Sequence, residues 1–169
     1  MERVMKYKEL DRTSFTDYGQ VLDDAGAKLC GTSDMHDYWD KVASFTSEGP
    51  LVCSLLRTKK KLGDPIDEME RHFNTQEILV ALKGDAVLTV AKADNDKPSP
   101  DDATIKSFLL KQGQGVVFEA GTWHALPCAV DDTCMLLVVF RENTSYSEDE
   151  SVKTDIHFSK LKQALTLTA

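Results

Sequence analysis

Residues 70–91 read Glu-Arg-His-Phe-Asn-Thr-Gln-Glu-Ile-Leu-Val-Ala-Leu-Lys-Gly-Asp-Ala-Val-Leu-Thr-Val-Ala. Two apolar runs, 77–83 and 85–91, flank Gly84. Runs this short, rich in Val, Ile and Leu and joined by a glycine turn, favour strands over helices, and the pattern predicts a hairpin. The pattern continues on both sides, through LVCSLLR (51–57) upstream and TIKSFLL (104–110), GVVF (115–118) and TCMLLVVF (133–140) downstream. Between them DNDKPSPDD (94–102) has the composition of an acidic surface loop. About seven short strands at spacings of about 8–12 residues, with no helix between them, predict an antiparallel sandwich or barrel.

The flanks read differently. Residues 1–24 predict a short strand, a small helix over SFTDYG and an extended QVLDD segment. Thr32 or Ser33 can cap a helix running to about Phe45, because Met35, Tyr38, Trp39, Val42 and Phe45 recur at spacings of three and four. Gly49-Pro50 ends it. A Ser- and Glu-rich stretch (144–154) leads to a short final helix near 158–165. The expected organisation is one domain over 1–169, with an N-terminal cover (1–48), a barrel core (51–142) and a C-terminal tail with its helix (143–169).

Composition bounds the function. With 169 residues, 41% hydrophobic and 28% charged, the chain can bury a genuine core and is not a disordered one. No apolar run approaches the length of a membrane span, and MERVMKYKELDR lacks the apolar stretch of a signal peptide. Twenty Lys+Arg against 28 Asp+Glu give a net charge of -8, which argues against nucleic-acid partners. An anionic substrate on such a chain needs local cations. The four cysteines show no CxxC or zinc-ribbon spacing, and most read as buried free thiols, so a reducing, cytoplasmic compartment is expected. A homodimer is the expected assembly, since two-fold pairs are the commonest oligomers.

The chemistry-bearing residues fall in two segments. In an extended strand Glu70 and His72 share a face, and Glu77 returns to it through a turn at Asn74-Thr75. The second segment, Gly113 to His124, brackets a strand with glycine turns and ends on an imidazole. Two imidazoles with one or two carboxylates form an N/O ligand set suited to Mn, Fe, Co, Ni or Zn. His72, Glu77, His124 and Glu70 are therefore the candidate metal ligands. Glu70 is also the candidate catalytic base, or an acceptor that orients an imidazole. Arg57, Arg71 and Arg141 are candidates for clamping a substrate carboxylate, because a guanidinium offers paired donors. Arg57 and Arg141 are expected at the catalytic site as well, whereas Arg71 alternates away from the His72 face. Trp123 is a candidate wall of the substrate pocket. His36 and His157 lie in segments without partner ligands, and Lys59-Lys60-Lys61 reads as a solvated loop.

These residues resemble the two cupin motifs. Glu70, His72, Glu77 and Gly84 match the spacing of the first, and Gly113, Glu119, Gly121, His124 and Cys128 that of the second. Glu70, Glu119 and Cys128 stand where His, Pro and Asn are usual. More narrowly, the chain resembles the ureidoglycolate lyase family. The resemblance is carried by SFTDYGQVLD (14–23), Arg57, the E-R-H run at 70–72, the long stretch from Leu82 to Phe108, GQGVVFEAGTWHALP (113–127) and VVFRENTSYSED (138–149). Glu77 replaces a usual Gln of that family, and Ala125 a frequent second His. The resemblance implies an all-β, cupin-type antiparallel barrel (a double-stranded β-helix, or jelly roll) with a few peripheral helices. It also implies a divalent metal and a lyase that releases urea from ureidoglycolate and leaves glyoxylate. Two other functions fit the same scaffold: a metal-dependent isomerase or epimerase of a sugar or keto acid, and a non-enzymatic cupin that binds a small molecule.

Overall fold

A computed structural model of the chain describes residues 3–145 and 153–168. The elements are β1 (Arg3–Lys6), β2 (Lys8–Glu9), α1 (Arg12–Phe15), β3 (Gly19–Leu22), β4 (Leu29–Thr32), β5 (Asp37–Trp39), β6 (Leu51–Thr58), β7 (Ile66–Arg71), β8 (Glu77–Lys83) and β9 (Ala86–Ala91). A 3₁₀ turn (Asp102–Thr104) precedes β10 (Lys106–Leu110), β11 (Gly115–Phe118), β12 (Trp123–His124), β13 (Cys128–Ala129), β14 (Cys134–Arg141) and β15 (His157–Thr168). One sheet runs β1-β15-β7-β12-β9-β10-β2, with β13 added beside β9. The other runs β3-β11-β8-β14-β6, and β4 pairs with β5 apart from both. The architecture is the expected barrel of two facing, mainly antiparallel sheets, with almost no helix among the described residues.

The core forms because alternate residues of both sheets point inward. Leu79, Ala81, Leu88, Val116, Leu136 and Val138 belong to a buried cluster inside the barrel, joined by Phe15 and Phe108. A second cluster, with Ile66, Met69, Val87, Ala91, Trp123 and Leu165, is assembled on different residues. Strand β9 contributes to both, Leu88 and Val90 to the first and Val87 and Ala91 to the second, which is why all six of its residues are buried.

Four expectations are corrected. Residues 77–83 and 85–91 are both strands but not a hairpin: β8 pairs with β11 and β14, and β9 with β10, β12 and β13. Gly84 therefore turns the chain from one sheet to the other. Its φ is +80°, and a Cβ there would sit 2.9 Å from the Thr133 carbonyl oxygen. Gly84→Ala is expected to cost roughly 1–3 kcal/mol, read as a lower urea midpoint, because it adds a left-handed strain and a backbone clash.

The helix expected from Thr32 or Ser33 to Phe45 is instead the β4–β5 pair. The Ser33 hydroxyl accepts from the amides of Met35 and His36, and the Thr32 hydroxyl donates to the Asp37 carboxylate (2.6 Å), which builds a turn where a helix cap was expected. The apolar stripe has no surface to cover: Met35 is 90% exposed. The final helix near 158–165 is β15, which pairs antiparallel with β7 and in parallel with β1. Two open strand edges and the alternation of buried Leu165 and Leu167 override helix propensity there. The small N-terminal helix is α1, two residues before SFTDYG, because Asp11 caps it by accepting from the Ser14 amide.

The flanks also join the barrel instead of only covering it, since β1, β2 and β15 enter one sheet and β3 the other. Of the four free cysteines, Cys128 and Cys134 are buried but Cys30 and Cys53 are exposed, so the expectation that most are buried holds for half. Burial pushes the Cys128 thiol up to about 11. Among the described residues, no helix is long and apolar enough to cross a membrane.

Candidate metal centre

Cross-strand pairing brings the two sequence segments together. His124 of β12 lies directly opposite Glu70 of β7, so their side chains share a face. His72 follows two residues after Glu70, and Glu77 opens β8 beyond the 72–76 turn. Glu77 Oε2 stands 3.2 Å from His72 Nε2 and 3.7 Å from His124 Nε2. Glu70 Oε1 stands 3.6 Å from His124 Nε2. Glu70, His72 and His124 each offer a ligand atom within 4.8 Å of the others. The four candidate ligands therefore converge, with His72, His124 and Glu77 buried and Glu70 half-buried at the edge of the group.

The imidazoles are held by their other nitrogens. His72 Nδ1 lies 2.8 Å from the Asp155 carbonyl and His124 Nδ1 lies 3.1 Å from the Thr122 carbonyl. A carbonyl can only accept, so each Nδ1 carries the hydrogen and each Nε2 faces the carboxylates. His124 Nε2 is buried without a hydrogen-bond partner. An orphaned buried nitrogen beside two carboxylates is relieved by a cation, either a proton or a metal ion. This donor set fits a divalent transition metal.

Electrostatics give the same picture. Burial opposes a charge on the His124 ring, yet Glu77 and then Glu70 outweigh it and raise the ring to about 9 from an ordinary 6.5. Burial likewise opposes ionisation of Glu70, but His124 more than compensates and holds its carboxyl below the ordinary value. In the metal-free protein the His124 proton is thus bound more tightly folded than unfolded. Its contribution to stability is complete below about 6.5 and lost as pH rises through about 9. Urea midpoints measured in chelator between pH 6 and 10 are expected to fall across that window.

Three supports were not singled out from the sequence. Phe118 stacks on His124, with centroids 5.0 Å apart and planes 10° from parallel. Its place opposite Glu77 in the β11–β8 ladder is readable only once the register is known. Asp155 is buried, and its carboxylate accepts from the amides of Phe73 and Asn74 while its carbonyl holds His72. The Thr122 carbonyl does the same for His124. No sequence signal marks a backbone carbonyl from a distant tail.

The arginines do not join the group. Arg57 is exposed on β6, where Leu56 and not its neighbour lines the interior. Arg141 lies at the end of β14 beside Asn74, Thr75 and Gln76, along a separate groove of about 410 Å³. Arg71 alternates away from His72, as expected, but it is buried: it donates to the carbonyls of Asp94 and Lys97 and is sandwiched between Phe73 and Trp123. Trp123 is 1% exposed and faces that sandwich, not the ligand group. Strand alternation thus keeps Arg57, Arg71, Arg141 and Trp123, expected at the substrate, off the face that carries the ligand group. Of the remaining histidines, His36 hydrogen-bonds Ser33 and His157 lies 3.4 Å from Asp155 Oδ1.

The family model described as ureidoglycolate lyase matches residues 2–162. The ureidoglycolate lyase of Azotobacter vinelandii is 24% identical, covering 88% of this chain and 91% of that protein. That of Pseudomonas aeruginosa is 25% identical, covering 90% and 92%. Among solved structures, hydroxypropylphosphonic acid epoxidase from S. wedmorenis is 20% identical over 53% of this chain and 42% of that one, with a TM-score of 0.42. The match over nearly the whole length makes this chain an enzyme that belongs to the ureidoglycolate lyase family.

Proposed function

We propose that the protein is a metal-assisted lyase that cleaves ureidoglycolate to glyoxylate and urea. The observation that carries the reading is the convergence of two Nε2 atoms and two carboxylates at one half-enclosed spot, with both imidazoles held from behind. Its relatives' name supplies the substrate.

His72, His124 and Glu77 are assigned to hold a divalent cation, because Glu77 is buried and reaches both imidazoles. When bound, the ion supplies Lewis acidity that stabilises negative charge developing on substrate oxygens. Glu70, half-buried beside the pocket, is assigned as the general base. Its carboxylate, beside the cation site, accepts the proton of the substrate's 2-hydroxyl. The O–H electron pair becomes the C=O bond of glyoxylate as the C–N bond breaks. The proton on Glu70 passes to the departing nitrogen, so urea leaves neutral and Glu70 returns to its starting state. Phe118 and the aliphatic walls Leu56, Leu79 and Leu88 keep bulk water from this exchange.

The test is direct assay of the purified protein with ureidoglycolate. Urea and glyoxylate are expected in equal amounts, lost on chelation and restored by one of Mn, Fe, Co, Ni or Zn. Turnover of a sugar or keto acid without urea would reject the reading.

A further inference from the structure

Two connected spaces adjoin the ligand group. The inner one is about 40 Å³, close to the room a single water needs. The outer one is about 270 Å³ and opens past Leu126 and Phe158, both about half exposed. Glu70, His124, Ala125 and Leu126 border both spaces. A molecule several times the size of water fits only the outer space, with its reacting end against Glu70 and His124. The groove beside Arg141 shares no lining residue with either space.

The outer pocket is acidic. Asp67, Glu68 and Glu70 all line it, and they oppose an anionic substrate. Lys160 pairs with Asp67 (3.2 Å) and Glu68 (3.3 Å), which offsets two of the three. Lys60 is the one lysine or arginine among the lining residues. Its ammonium donates to a neutral acceptor, the Pro65 carbonyl (2.6 Å), and no ion pair takes up its charge among the described residues. Its backbone is tied on both sides, the amide donating to the Thr58 hydroxyl and the carbonyl accepting from Ala129. An ammonium on a fixed backbone, without an ion pair among the described residues, at the edge of the space of about 270 Å³ that touches Glu70 and His124, is placed to receive a carboxylate.

We propose that Lys60, and not Arg57 or Arg141, binds the carboxylate of the substrate and so sets the preference for a small 2-hydroxy acid anion. The proposal rests on the ureidoglycolate reading. Each interaction of this class is worth a factor of roughly ten to a hundred in binding.

The probe is oxalurate, which keeps the ureido group and the carboxylate but lacks the hydroxyl that starts cleavage. Binding is measured by calorimetry on the metal-loaded protein, alongside steady-state kinetics with ureidoglycolate. Lys60→Met is expected to raise the oxalurate Kd and the ureidoglycolate KM tenfold or more, with KM carrying most of the loss in kcat/KM. Lys60→Arg is expected to keep both within about threefold of the unaltered protein, and metal content and thermal midpoint are expected to hold in both variants. Wild-type turnover combined with an unaltered Kd and KM in Lys60→Met overturns the role of Lys60 and leaves the lyase reading standing. So does a matching loss in Arg57→Met or Arg141→Met in place of Lys60→Met. A wild-type protein that neither binds oxalurate nor releases urea overturns both.

Discussion

His72→Ala and His124→Ala are each expected to purify with less than a tenth of the divalent metal carried by the unaltered protein, and to lose activity by three orders of magnitude or more. Elemental analysis of untreated protein together with the urea assay reads both. The size of the effect follows from how the ligands are held. Each ring is fixed by one carbonyl, so its Nε2 is offered at no further ordering cost, and deleting it removes one of the three bonds assigned to hold the ion. Each alanine also leaves Glu77 buried with one partner fewer, which raises the cost of its charge. His36→Ala, in the exposed β4–β5 pair, is the comparison and is expected to keep its metal. Full metal content in His72→Ala or His124→Ala would contradict the ligand assignment.

The second large effect is at Glu70. Glu70→Gln preserves shape but cannot accept the hydroxyl proton, and it is expected to lower kcat by a factor of about 10² to 10⁴. Metal content is expected to stay near that of the unaltered protein, because His72, His124 and Glu77 remain. Glu77→Gln is expected to divide the other way, with metal affinity falling before kcat at saturating metal. Loss of metal in Glu70→Gln with normal kcat after reloading would exchange the two roles. The separation rests on burial: Glu77 sits between the imidazoles, whereas Glu70 borders the space a substrate can enter.

The ligand group was legible because its logic is local. Alternation along β7 set Glu70 and His72 on one face, and the glycine turns around β11 announced a return that delivers His124. Partner strands were not legible, because pairing is decided by sequence-distant edges. The runs 77–83 and 85–91 look the same whether they pair with each other or with different sheets, and only the ladders of the folded chain show which. The stripe from Met35 to Phe45 has helical spacing, but spacing gives a helix only when a surface exists to bury the stripe. Residues 158–165 have helical composition, yet the open edges of β1 and β7 claim them.

The same limit explains the substrate-contact residues. Arg57 and Arg141 looked suited to a carboxylate by chemistry, but inward or outward direction follows from the ladder, and it turns them out. Lys60 lay in a run of three lysines whose solvated reading was sound for Lys61, paired with Asp132. Nothing in that run distinguishes the one lysine that lines the pocket. Asp155 contributes a carbonyl, which every residue has.

The most direct measurement is anomalous diffraction from crystals of the untreated protein, collected across the absorption edges of the transition metals. The predicted result is one strong peak about 2.0–2.3 Å from both His72 Nε2 and His124 Nε2, with a Glu77 oxygen at similar range. A protein that releases urea from ureidoglycolate while this spot shows no peak would contradict the account.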